Sequence, residues 1–166
     1  MEGAGGGLSA CECQHALGMS HTVFIQTPYT RKHKAEPYDA GNMWVDWKND
    51  YWYKKADGQF NAASSLHSEA VDFARWMMAV MNKELFTPHS SVPSGGDRDV
   101  SYTLGFMKPH IPDTDLYFHG GDNTGFTSFY VLDPEKDWGH VVFTNSEYGE
   151  DLGNDLTDFL MVDPNR

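Results

Sequence analysis

The stretch YFHGGDNTGFTSFYVLDPEKDWGHVVFTN, residues 117–145, decides how this chain folds. Two runs rich in β-branched and aromatic residues, Phe126–Leu132 and His140–Thr144, read as strands. Between them, DPEKDWG is turn chemistry, and it writes the two runs as a hairpin. A third strand, Leu116–His119, precedes them and runs into His119-Gly120-Gly121. A turn needs one glycine, whereas two glycines at a strand end let backbone come close to something else. The amides beyond His119 are therefore candidate donors to a developing oxyanion, provided that a nucleophile lies opposite. The plainer alternative for the same glycines is a bulge or a turn.

Working outward, Tyr102–Met107 reads as a further strand, and Ser91–Asp99 as a loop from its Pro, Gly and Asp content. Upstream, Ser68–Asn82 has helical spacing in Val71, Ala74, Met77, Met78 and Met81, with Ser68 placed to cap it. Phe73, Trp76 and Val80 add a second apolar stripe, so the spacing predicts a helix buried on most sides, its methionines serving as core. GEDLGNDLTDFLM, residues 149–161, predicts a closing helix with its acids crowded toward the N-terminal half. Strands on short loops, flanked by helices, give an α+β fold: an antiparallel sheet with helices packed on it. Residues 1–10 read as a flexible leader, 11–60 as an irregular segment rich in aromatics, and 61–166 as the helix, sheet and closing helix of one domain.

The 166 residues are 40% apolar and carry a formal charge of −12. The charge is uneven: residues 84–166 hold 4 bases and 15 acids, a net of 4 − 15 = −11. Such a surface repels phosphate backbones and anionic headgroups, so no nucleic-acid partner is expected. No run reaches the roughly 18 apolar residues of a membrane span, and MEGAGGGLSA lacks the charged and apolar regions of a signal peptide. The compartment is left open.

Most familiar chemistry is excluded by motif. The sequence has no HExxH, no GxSxG, no GxGxxG and no P-loop. Cys11 and Cys13 are one residue apart and lack the further ligands of a zinc site, and the acids at 133, 135 and 137 lack the glycine and closing acid of a calcium loop. No metal and no cofactor are expected. His119 remains as a candidate general acid or base, or as a positive charge beside a substrate acid.

Five segments in order resemble the C-terminal part of the serine β-lactamase and penicillin-binding-protein family, in its class C, esterase and D-aminopeptidase branch. They are ALGMSHTVF (16–24), AASSLHSEAVDFARWM (62–77), YTLGF (102–106), HGGD (119–122) and the strands that follow to Ser146. The resemblance implies a partial β-lactamase/transpeptidase-like fold and acyl-enzyme hydrolysis of an amide, ester or peptide. It places His119-Gly120-Gly121 at the family's third active-site motif, with the oxyanion amide falling on Asp122. His119 and Asp122 are thus the catalytic candidates, and Gly120, Gly121 and Asn123 the substrate-binding ones. Departures accompany it. No Ser or Thr is followed by x-x-Lys and no Tyr by x-Asn. The nucleophile and its base are absent, and the chain alone is expected to be inactive in this chemistry. Glu147 and Glu150 fall where class C enzymes hold the β-lactam carboxylate with asparagine, which favours a substrate without that acid.

The expected partner is a small acyl or peptide substrate, once other polypeptide supplies the hydroxyl. Two further readings are a non-catalytic module in which the aromatics of 38–53 form a platform for glycan or peptidoglycan, and a chain whose exposed sheet edge pairs with a second copy or a complementary chain.

Overall fold

A computed structural model describes residues 15–39, 41, 43, 65–81, 84–92 and 99–162. The leader at 1–10, both cysteines, and the aromatics Trp44, Trp47, Tyr51, Trp52 and Tyr53 lie outside the described residues. The chain divides into two compact units, residues 1–35 with 46–76, and residues 36–45 with 77–166. The element order is α1 (Pro28–His33), α2 (Ala70–Val80), a single 3-10 turn at Glu84–Phe86, six strands, and α3 (Gly149–Val162). The strands are β1 (Ser90–Val92), β2 (Val100–Tyr102), β3 (Met107–Pro109), β4 (Tyr117–Asn123), β5 (Phe126–Asp133) and β6 (Trp138–Thr144). No helix among the described residues is long and apolar enough to cross a membrane.

The first unit is built on polar ties. Thr27 and Thr30 close a reciprocal capping box on α1, with Pro28 at the first helical position, where its missing N–H is no loss. Val23 and His67 exchange backbone hydrogen bonds of 2.9 and 2.8 Å in an isolated antiparallel bridge. Asp72, fully buried, accepts from the backbone N–H of His21 (2.7 Å), the Thr22 hydroxyl (3.1 Å) and the Arg75 guanidinium (2.6 Å). Arg75 also donates to the Gly18 carbonyl at 3.0 Å. A buried carboxylate so fully partnered ties the LGMSHT segment to the start of α2. Ser68 is not the cap: the Glu69 carbonyl accepts the first bond of α2, from Phe73, and the Ser68 hydroxyl turns to Thr22 Oγ1 and the Glu69 carbonyl. Nor is α2 buried on most sides, since Val71 and Met78 are 61% and 66% exposed.

The second unit holds a six-stranded antiparallel sheet in simple sequence order, β1 to β6. This is the α+β architecture expected. Two strand assignments change. The Tyr102–Met107 run is the end of β2, a tight turn over 103–106 and the start of β3; a 2.9 Å bond from the Thr103 N–H to the Phe106 carbonyl closes the turn, and Gly105 at its tip has φ +96°. The strand begun at Leu116 does not end at the glycines but continues through them to Asn123. Val92 and Ser91, read as loop, close the sheet in β1.

Alternation sorts the sheet faces. Phe118 with Val131 and Phe129 face α3, forming a core with Leu116, Trp138 and Met161. Tyr117 and Leu132 face the other way, where Phe86 packs on Tyr117 (4.4 Å between ring centroids). Each such large buried side chain contributes about 1.5–3 kcal/mol. The β5–β6 turn is held by Asp133, whose buried carboxylate accepts from the Lys136 N–H at 3.0 Å, with Asp137 at φ +54°. DPEKDWG is therefore the hairpin turn that its composition indicates.

Candidate active site

The His119–Asn123 run lies within β4, and its outer edge is the feature of interest. In the β2–β3 ladder the bonded pairs are Asp99–His110 (3.0 Å) and Thr103–Phe106 (2.9 Å). By alternation, Met107 turns its backbone groups the other way, toward its β4 partner Phe118. Along β4 the groups that share Phe118's direction belong to Gly120 and Asp122. The two-residue turn pairing Asn123 with Phe126 gives the same parity. β3 begins at Met107, so beyond Phe118 this edge of β4 has no strand partner among the described residues. The N–H groups of Gly120 and Asp122 point out of the sheet in a row.

The glycines keep this edge accessible. A Cβ on Gly121 would meet the Ser128 hydroxyl at 2.8 Å, while on Gly120 it would find ordinary contacts, the nearest 3.6 Å away. Ser128 Oγ donates to the Gly121 carbonyl at 3.3 Å. The acidic side chain of Asp122 does not share the edge with its amide. It lies on the sheet face, where Thr127 Oγ1 donates to it at 3.4 Å and also to the Ser146 carbonyl at 2.8 Å. A developing negative charge at the amide would thus not meet the carboxylate end-on.

The structure brings some of the sequence candidates together and separates others. Gly120, Gly121 and Asp122 line a shallow depression of about 180 Å³, floored by Phe118 and Phe129 and bordered by Thr127 and Glu150. His119 points to the opposite face, exposed, its ring nearly parallel to Tyr130 at 6.3 Å. Burial raises the pKa of Tyr130, so it stays a neutral phenol there. Its hydroxyl donates to the Gly105 carbonyl at 3.4 Å. Asn123 is exposed at the hairpin turn and does not line the depression. That turn is pinned from above. Tyr38 donates to the carbonyls of Gly125 (3.4 Å) and Asn145 (3.2 Å), and Asn145 Nδ2 donates to the Glu36 carbonyl (2.8 Å). Gly125, at φ +76°, has Pro37 so close that a Cβ would lie 2.6 Å from it.

Of the two acids near the end of the sheet, Glu150 borders the depression from the first turn of α3, and Glu147 is exposed just before that helix. Thr127 was not among the sequence candidates. Its signal was present: the two-residue turn fixes Asp122 opposite Thr127, on one face.

The family model described as Beta-lactamase matches residues 15–161. The chain belongs to the Beta-lactamase family. Among curated relatives, Protein flp of Staphylococcus aureus strain MW2 is 29% identical over 143 residues, covering 80% of this chain and 27% of the relative. Protein flp of strain NCTC 8325 / PS 47 is 28% identical over the same length. This chain therefore spans about a quarter of the length of the curated relatives it matches. In fold it is similar to the octameric penicillin-binding protein homologue from Pyrococcus abyssi, with a TM-score of 0.66 and 22% identity, covering 92% of this chain and 36% of that one.

Proposed function

We propose that this chain carries the strand-edge part of a serine acyl-transfer site, at which the amide of Asp122 receives the carbonyl oxygen of an ester, amide or peptide. The observation that carries this reading is the outer edge of β4 from His119 onward, which has no strand partner among the described residues, with the Gly120 and Asp122 amides aimed along it. Family membership over residues 15–161 supports the same reaction class. His119 supplies a proton donor or positive charge on the face where its ring lies open. The attacking hydroxyl and its base come from other polypeptide, since no S-x-x-K or Y-x-N occurs in these 166 residues. At this edge the isolated chain is expected to hold an acyl group weakly and to form no acyl-enzyme. With Glu150 bordering the depression, the fitting substrate has no free carboxylate there.

The test is a polypeptide in which the S-x-x-K and Y-x-N segments of a relative precede this chain, with acylation of the supplied serine by a neutral ester and a fluorescent penicillin mapped by mass spectrometry. Acylation that collapses in Asp122→Pro supports the reading, because proline removes that amide and is tolerated on an unpaired edge. Acylation unchanged by Asp122→Pro would overturn it.

The same open edge supports the pairing of this chain with a second copy or a complementary chain by strand addition. The glycan-platform alternative rests on aromatics of which only Tyr38 is described, and Tyr38 is 36% exposed beside Ser146.

A further inference from the structure

The second unit holds another constellation, on β2 and β3. Ser101 Oγ lies 2.8 Å from His110 Nε2 and 3.3 Å from the Ser91 hydroxyl. Ser101 is only 4% exposed, yet it and His110 line an open surface groove of about 460 Å³. Pro88, Ile111 and Pro112 give that groove apolar walls, and Lys108 is the one lysine or arginine among the lining residues. Lys108 is held in place by an ion pair with Asp115 and a 3.3 Å bond to the Tyr117 hydroxyl. A buried serine needs one partner for its hydroxyl. Here it has two, and one is an imidazole nitrogen at the distance of a nucleophile–base pair. The register explains the meeting: Ser91, Ser101 and Lys108 stand in one cross-strand row, and His110, two residues beyond Lys108, points to the same face.

We propose that Ser101 and His110 form a second nucleophile–base pair, acting on small carboxylic esters with a short apolar acyl group. Ser101 Oγ attacks the ester carbonyl carbon while its proton passes to His110 Nε2. The tetrahedral oxyanion then collapses, the C–O bond to the alcohol breaks, and the alcohol leaves with the proton from His110. Water hydrolyses the acyl-Ser101 ester by the same route: its proton passes to His110, the acid leaves, and the serine recovers its proton. The Lys108 ammonium supplies charge of the sign the oxyanion needs. This site is apart from the β4 edge and uses none of its residues, so either can fail without the other.

The experiment treats the 166-residue chain with a fluorophosphonate probe and maps the adduct by mass spectrometry. The expected result is one adduct at Ser101, absent in Ser101→Ala and formed about 100-fold more slowly in His110→Gln, with far-UV circular dichroism unchanged. p-Nitrophenyl acetate should give a burst of one equivalent that disappears in Ser101→Ala. A folded chain without an adduct at Ser101 would overturn the proposal. So would an adduct that forms as fast in both His110→Gln and His110→Asn as in the parent.

Discussion

The helix α3 presses its backbone against the floor of the candidate site, and Gly153 is where the two meet. A Cβ built on Gly153 lies 2.9 Å from Phe129 Cγ and 3.1 Å from its Cβ, and nearer still to Cδ1. Ordinary contacts run from 3.4 to 4 Å, so α3 and the ring must part by more than about half an ångström. Phe129 cannot yield cheaply: it is 6% exposed and packed among Leu116, Val131 and Phe118. Gly153→Ala therefore sets two effects against each other. Alanine in a helix interior gains about 0.5–1 kcal/mol over glycine. Overpacking a close-packed core costs about 1–3 kcal/mol. The clash reaches three ring and Cβ atoms and has no flexible side-chain end to absorb it, so the cost wins, with a net loss of about 1–2 kcal/mol. Urea unfolding followed by far-UV circular dichroism should show the midpoint fall with unchanged slope. The double mutant Gly153→Ala/Phe129→Leu should recover at least part of the loss, giving a favourable coupling of about 1 kcal/mol. A Gly153→Ala chain as stable as the parent, or more so, would show that α3 does not sit where the packing places it.

Acid should loosen both units. His140 donates or accepts at Thr157 Oγ1 (2.8 Å) through Nε2, while its buried Nδ1 has no partner among the described residues, and burial lowers its pKa. His67 is lowered as well, by burial first, with the Ser65 carbonyl opposing and Lys34 reinforcing. For a histidine lowered below its ordinary value of 6.5, the unfolded chain binds the proton more readily; stability is full above about pH 6.5 and declines as pH falls below it. Unfolding midpoints measured from pH 7.5 to 5 should follow that fall, and His140→Gln should flatten it. In the completed polypeptide, Asp122→Pro should lower the acylation rate about 10²–10³-fold, with little change in unfolding midpoint. In the same polypeptide, Glu150→Asn should raise acylation by a fluorescent penicillin relative to that by a neutral ester, measured as the ratio of the two rates. Gly125→Ala should unfold earlier, by about 1 kcal/mol or more, because it combines a positive φ with the Pro37 contact; calorimetry would show it.

The parts of this fold that a reader of the sequence can see are those where one local rule is enough. The β5–β6 hairpin follows from two runs rich in β-branched and aromatic residues with a turn of Asp, Pro and Gly between them, and α3 from the acids crowded toward its start. The failures have two causes, a local glycine conformation that composition does not reveal and a contact far along the chain. Tyr102–Met107 has strand composition, but Gly105 at positive φ folds it back on itself, and β2 and β3 are the flanks of that turn. Ser68 has the chemistry of a cap, yet Thr22, 46 residues away, takes its hydroxyl.

The glycines of β4 show the same limit at the site itself. Local chemistry leaves His119-Gly120-Gly121 as a turn, a bulge or an open strand end, and each accounts for two glycines equally well. What separates them is the partner strand. Gly120 and Gly121 pair in register with Phe129 and Ser128, so the backbone is an extended strand and no turn. Their other edge has no strand partner among the described residues because β3 begins at Met107, and β3 begins there because Gly105 has just reversed the chain. A glycine fifteen residues before Gly120 thus decides whether the amides of β4 meet another strand or remain available. Extending β3 backward by straightening that turn would cover the Gly120 and Asp122 amides with backbone carbonyls and remove the site without touching one of its residues.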